Sequence, residues 1–112
     1  MSAGKHNIII DQGATFELTV TISSGGSALN LSSYEGRSSI RATPEATAVI
    51  DTFTVVKTDA SNGVLKMSLT PNETNAIAAG RYVYDLEIFT GSDAIVNRII
   101  EGYVEVKRGV TR

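Results

Sequence analysis

The stretch from Thr70 to Ile88, TPNETNAIAAGRYVYDLEI, constrains the fold more than any other part of the chain, because it holds a helix start, a stop and a half-buried strand in succession. Thr70 has the chemistry of an N-cap, Pro71 suits the first helical position, and Glu73 stands where its side chain can reach back to the cap. Together they form a capping box that satisfies orphaned backbone N–H groups. Gly80 is read as the helix stop. From Arg81 the hydrophobic period falls from about 3.6 to about 2. Tyr82, Tyr84, Leu86 and Ile88 then alternate with Val83, Asp85, Glu87 and Phe89, which is a strand with one wet face.

The same alternation recurs along the chain. Met1–Lys5 reads as a small polar arm before a first short strand over His6–Ile10, and Asp11-Gln12-Gly13 as a turn. Phe16, Leu18, Val20 and Ile22 mark the inner row of a strand over Thr15–Ser23, which Gly25-Gly26 ends. Leu29 and Leu31 are expected as buried anchors of a loop crossing the domain edge. Arg37–Ala42 reads as a strand closed by Thr43-Pro44, and Val49–Lys57 as one bent strand or two. Asp59–Gly63 is a turn and Val64–Leu69 a strand with Leu65, Met67 and Leu69 inward. Thr90-Gly91-Ser92-Asp93 returns the chain antiparallel as Ile95–Lys107, where Gly102 marks a bulge or a close backbone approach. The tail Arg108–Arg112 is polar. About seven strands and one short helix predict an all-β, immunoglobulin-like antiparallel β-sandwich, with a small barrel as the alternative.

A length of 112 residues suits one domain, 1–112, with a single core. A net charge of −2 with dispersed Lys and Arg gives no footprint for nucleic acid or an anionic membrane. Cysteine is absent, so apolar burial and sheet hydrogen bonds must hold the fold, as suits a reducing compartment at synthesis. Ile8-Ile9-Ile10 is too short for a secretory or membrane segment.

Catalytic chemistry is not written in these residues. His6 is the one histidine, and without Cys or a second His it has no partners for a transition-metal site. No G-x-S-x-G elbow is present to supply a serine nucleophile. Asp85 and Glu87 share a strand face, as do Glu101 and Glu105, a pattern that could pair two carboxylates for glycoside cleavage. Arg81 and Arg98 are at hand to neutralise them, which favours a solvated face. Asp59, Asn62 and Asp93 are turn formers outside any calcium-loop pattern. The expectation is no enzyme, no cofactor and no metal. Val83, Phe89 and Tyr103 fall opposite the core rows of their strands. They form either an exposed apolar patch for a protein partner or a surface that a second sheet or the helix covers.

Three segments in order carry a resemblance: IIIDQGATFELTVTI, LNLSSYEGRSSIR, and LTPNETNAIAAGRYVYDLEI followed by VNRIIEGYVEV. Together they resemble the β-sandwich modules of bacteriophage tail and baseplate proteins, including the N-terminal domain of the upper baseplate family. Leu29, Leu31, Tyr34, Gly80, Tyr82, Tyr84 and Asp85 match scaffold positions of that pattern. The resemblance implies a non-enzymatic virion structural protein, made in the host cytoplasm. It would be present in many copies or as a homo-oligomer, docked on other virion proteins rather than on nucleic acid or membrane. The chain stops just after its last strand, so a stand-alone tail or baseplate adaptor is expected ahead of a holder of receptor-binding proteins. A head-decoration or neck protein, or a carbohydrate-binding module contacting the host surface, is the alternative.

Overall fold

The computed structural model describes residues 4–91 and 95–109. Met1–Ala3 of the expected arm, Ser92 and Asp93 of the expected hairpin loop and Val110–Arg112 of the tail lie outside the described residues.

The chain opens with β1 (Gly4–Lys5) and β2 (Ile8–Asp11), then β3 (Phe16–Thr21) and the small ribbon β4 (Ser23–Ser24) and β5 (Ser27–Ala28). Gly25 and Gly26, with φ of 62° and 84°, form the two-residue turn of that ribbon, a conformation that other residues adopt only at a cost. β6 (Glu35–Arg41), β7 (Asp51–Thr52), β8 (Thr54–Asp59) and β9 (Val64–Leu69) follow, then α1 (Pro71–Asn75), β10 (Gly80–Phe89) and β11 (Val96–Lys107).

Two sheets face each other. The larger runs β1-β11-β10-β6-β7 with β2 also on β11, and the smaller runs β3-β9-β8. Between them lie Ile8, Ile10, Ile40, Tyr84, Leu86, Ile88, Val104 and Val106 from the large sheet against Leu65, Met67 and Leu69 from the small one. Phe53 sits at the switch from β7 to β8 and is 3% exposed; its ring meets Phe16 at 5.7 Å and Tyr84 edge-on at 6.1 Å. The run from Val49 is therefore two strands, and burying Phe53 is what carries the chain from one sheet to the other. The architecture is the expected sandwich, and Leu31 plugs it while Leu29 packs on the core's rim.

The helix is shorter than Gly80 suggests. Its capping box is intact: the Glu73 N–H donates to Thr70 Oγ1 at 3.2 Å and the Thr70 N–H to Glu73 Oε1 at 2.8 Å. It ends at Asn75, because Ile77 turns into the core and its carbonyl accepts from the Gln12 side-chain amide at 2.7 Å. Gly80 is instead the first residue of β10. Buried Thr74 ties the helix to the preceding turn, its hydroxyl accepting from the Gly13 N–H and lying 2.8 Å from Ala14 O and 3.1 Å from Pro71 O.

Gly4 and Lys5 are not a loose arm. They pair in parallel with Ile100 and Glu101, and β2 continues the same register on Val104–Lys107. Apart from this N-terminal seam the sandwich is antiparallel. Gly102 is a close approach: a Cβ there would run into His6 O, and Tyr103 N bonds the Asn7 side chain in place of a backbone carbonyl. The irregularity in β11 lies at Ile99, where the β10 register jumps from Leu86↔Ile100 to Glu87↔Arg98.

Candidate functional site

The outer face of the large sheet is built by alternation. Because Tyr84, Leu86 and Ile88 point into the core, Val83, Asp85, Glu87 and Phe89 must point out, and antiparallel pairing sets a same-side neighbour opposite each. Val83 lies opposite Tyr103 on β11 and Arg41 on β6; Asp85 opposite Glu101 and Ser39; Glu87 opposite Arg98 and Arg37; Phe89 opposite Val96 and Glu35. No strand covers this face among the described residues, and Tyr103 is 54% exposed.

Of the three expected patch residues, the structure brings two together. Val83 and Tyr103 are direct cross-strand partners, whereas Phe89 lies six residues further along β10, roughly 20 Å away. Each aromatic has its own cation: the Arg81 guanidinium is 5.4 Å from the Tyr103 ring centre and that of Arg37 is 4.4 Å from Phe89. Exposed Val96 beside Phe89 extends the second cluster.

Between the clusters lies a charge ladder. Arg98 Nε is 3.1 Å from Asp85 and its Nη2 4.0 Å from Glu87, Arg37 Nε is 2.9 Å from Glu87, and Lys5 Nζ is 3.3 Å from Glu101. Arg98 is the neutralising residue expected here, while Arg81 attends Tyr103 instead. Burial, reinforced by the neighbouring Glu87, pushes the Asp85 carboxyl above its ordinary range despite the pull of Arg98. Asp85 and Glu101 are thus adjacent, yet each is held by a cation. Asp85 is bound by Arg98 and Glu101 by Lys5, so neither carboxylate stands unpaired on this open sheet.

The Val83–Tyr103 end is concave. The segment after β6 rises on one side, with Pro44, Ala46 and Thr47 at its rim, and Lys5 and Asn7 stand on the other. They bound an open depression of about 900 Å³, floored by Val83, Asp85, Arg98, Glu101 and Tyr103. Arg41 pins the rim by donating from Nη1 to Ala46 O at 3.1 Å and Thr47 O at 2.8 Å. Sequence reasoning missed this rim; a Pro in a weakly patterned segment carries no signal of where the segment folds back. His6 is exposed, with its carbonyl accepting from the Tyr84 hydroxyl at 2.5 Å, and burial pushes that phenol up to about 12. Among the described residues no group of three or more His, Cys, Asp or Glu could hold a metal ion, and no helix is long and apolar enough to cross a membrane.

Fold and face together define an all-β sandwich whose broad outer sheet is charged in the middle and apolar at both ends. Among solved structures, the chain is similar to the N-terminal domain of phage TP901-1 ORF48, at a TM-score of 0.59 and 14% identity, over 96% of this chain and 99% of that one. At that identity the likeness establishes the fold. No protein-family profile matches the chain, and no curated protein matches it in sequence.

Proposed function

We propose that this chain is a non-enzymatic structural subunit of a tailed bacteriophage, an adaptor of the tail or baseplate that works by docking its sandwich onto neighbouring virion proteins. The observation that carries the reading is the shared fold with a phage TP901-1 domain over nearly the whole of both chains. The outer sheet face supports it. Its arginine-bound acids and the pairing of half-buried Val83 with exposed Tyr103 suit a protein surface, as a small apolar spot ringed by charged side chains. Such contacts are small one by one and add up when many copies are arrayed by symmetry.

The proposal places the chain in the virion after synthesis in the host cytoplasm, with other structural proteins and further copies of itself as partners. Particles purified from a phage that encodes it should contain the chain in stoichiometric amount by mass spectrometry, and Tyr103→Ala or Val83→Asp should deplete it while the isolated protein stays folded. A chain absent from intact particles overturns the reading. Binding to an array of host glycans by the Tyr103 depression, with no incorporation, would replace it.

A further inference from the structure

Among the described residues the sandwich has four strand edges, and three are guarded against pairing with another chain. β7 has two residues, the β1–β2 edge is broken at His6–Asn7, and β8 carries Lys57 and a register shift that leaves Thr58 unpaired. β3 has none of these devices. It is six residues long, regular and free of Pro and Lys, and its only charge is Glu17.

The register shows which backbone groups it offers. The Ile22 N–H donates to Gly63 O at 2.8 Å, so the even-numbered residues of β3 bond to β9 and Glu17, Thr19 and Thr21 turn their N–H and C=O groups outward. None of these outward groups meets a backbone partner among the described residues. The inward row is also incomplete: Phe16, Leu18 and Val20 face the core yet remain half-buried.

We propose that β3 is a self-pairing edge, on which a second copy of this chain adds its own β3 antiparallel about a two-fold axis at Thr19. The two three-stranded sheets then become one continuous sheet. Self-complementarity selects the occupant and the register. With the axis at Thr19, each Glu17 faces a Thr21, Thr19 faces its own copy, and Leu18 faces Val20, whereas an axis at Glu17 would set two carboxylates against each other. Threonine pairs on the wet side and aliphatic pairs on the core side both favour the join. The inference is independent of the virion reading, since it concerns the isolated protein.

The test uses the absence of cysteine from the chain. Across an axial, hydrogen-bonded pair the Cα atoms lie about 5.5 Å apart, within disulfide reach. Thr19→Cys should therefore oxidise largely to a dimer on a non-reducing gel, while Thr58→Cys, equally exposed on the guarded edge, should stay monomeric. The wild-type chain should rise from 11.9 kDa towards twice that mass in sedimentation equilibrium, and Thr19→Lys should weaken dimerisation at least about tenfold with the fold retained. Equal cross-linking of the two cysteine variants overturns the proposal. So does a dimer that survives Thr19→Lys, or a mass that stays at 11.9 kDa up to about 1 mM.

Discussion

Replacing Gly102 with alanine tests whether the N-terminal seam is held by backbone approach. The new methyl would meet His6 O, with His6 C at 2.8 Å and Asn7 Oδ1 at 2.9 Å. Two of these are backbone atoms, which cannot swing aside as a side-chain tip would, so the strand must move. Three hydrogen bonds fasten the crossing: His6 N–H to Glu101 O at 3.0 Å, Tyr84 hydroxyl to His6 O at 2.5 Å, and Tyr103 N–H to Asn7 Oδ1 at 3.0 Å. Losing most of them at about 1 kcal/mol each, or overpacking the site instead, gives a destabilisation of about 2–3 kcal/mol. For a domain of this size that is a fall in Tm of roughly 10–20 °C. Thermal melting followed by circular dichroism measures it, and hydrogen exchange should show the amides of β2 losing protection first. Gly91→Ala, where nothing lies within 4 Å of the added Cβ, is the matched control and should stay near wild type. A Gly102→Ala protein melting within about 2 °C of wild type would show that the seam does not depend on this close approach.

Other substitutions probe separate joints. Thr70→Ala removes the cap acceptor of α1 and should cost about 1 kcal/mol in urea denaturation. Thr74→Val removes the buried hydroxyl that accepts from the part-buried Gly13 N–H and should cost about 1–3 kcal/mol by the same assay, while Thr74→Ser should keep most of the wild-type stability. Asp85 carries a folded-state pKa raised by burial, so the native state holds its proton more tightly than the unfolded chain. Its contribution therefore falls as pH rises from the unfolded value through the raised one, and the full penalty applies at neutral pH. Asp85→Asn should accordingly raise the urea midpoint at pH 7 and lose that advantage below about pH 4; a midpoint lowered at pH 7 would show that the Arg98 ion pair dominates.

The readable parts of the chain were those where local chemistry and tertiary packing agree. Thr70, Pro71 and Glu73 make the same capping box in isolation as in the fold, and alternation in β9 and β10 survives because each has one face on the core. The helix length is not legible from Gly80, since the stop comes from a distant residue: Gln12 captures the Ile77 carbonyl, and nothing near Gly80 announces that. The pairing of Gly4–Lys5 was likewise invisible, because a small polar dipeptide gains its strand geometry only from β11. At the candidate site the outward phase of Val83, Phe89 and Tyr103 was legible from period alone. Their separation into two clusters was not, for it depends on register across the hairpin. The rim pinned by Arg41 depends on a contact between a side chain and a loop carbonyl, which no pattern of residues encodes.

Docking through the outer face of the large sheet is the proposed mode of action. Electron cryomicroscopy of the intact particle tests that most directly. Docking of this kind requires density for the sandwich with Val83 and Tyr103 buried against a neighbouring subunit; density in which that face looks into open solvent, with the contacts made elsewhere, rules it out.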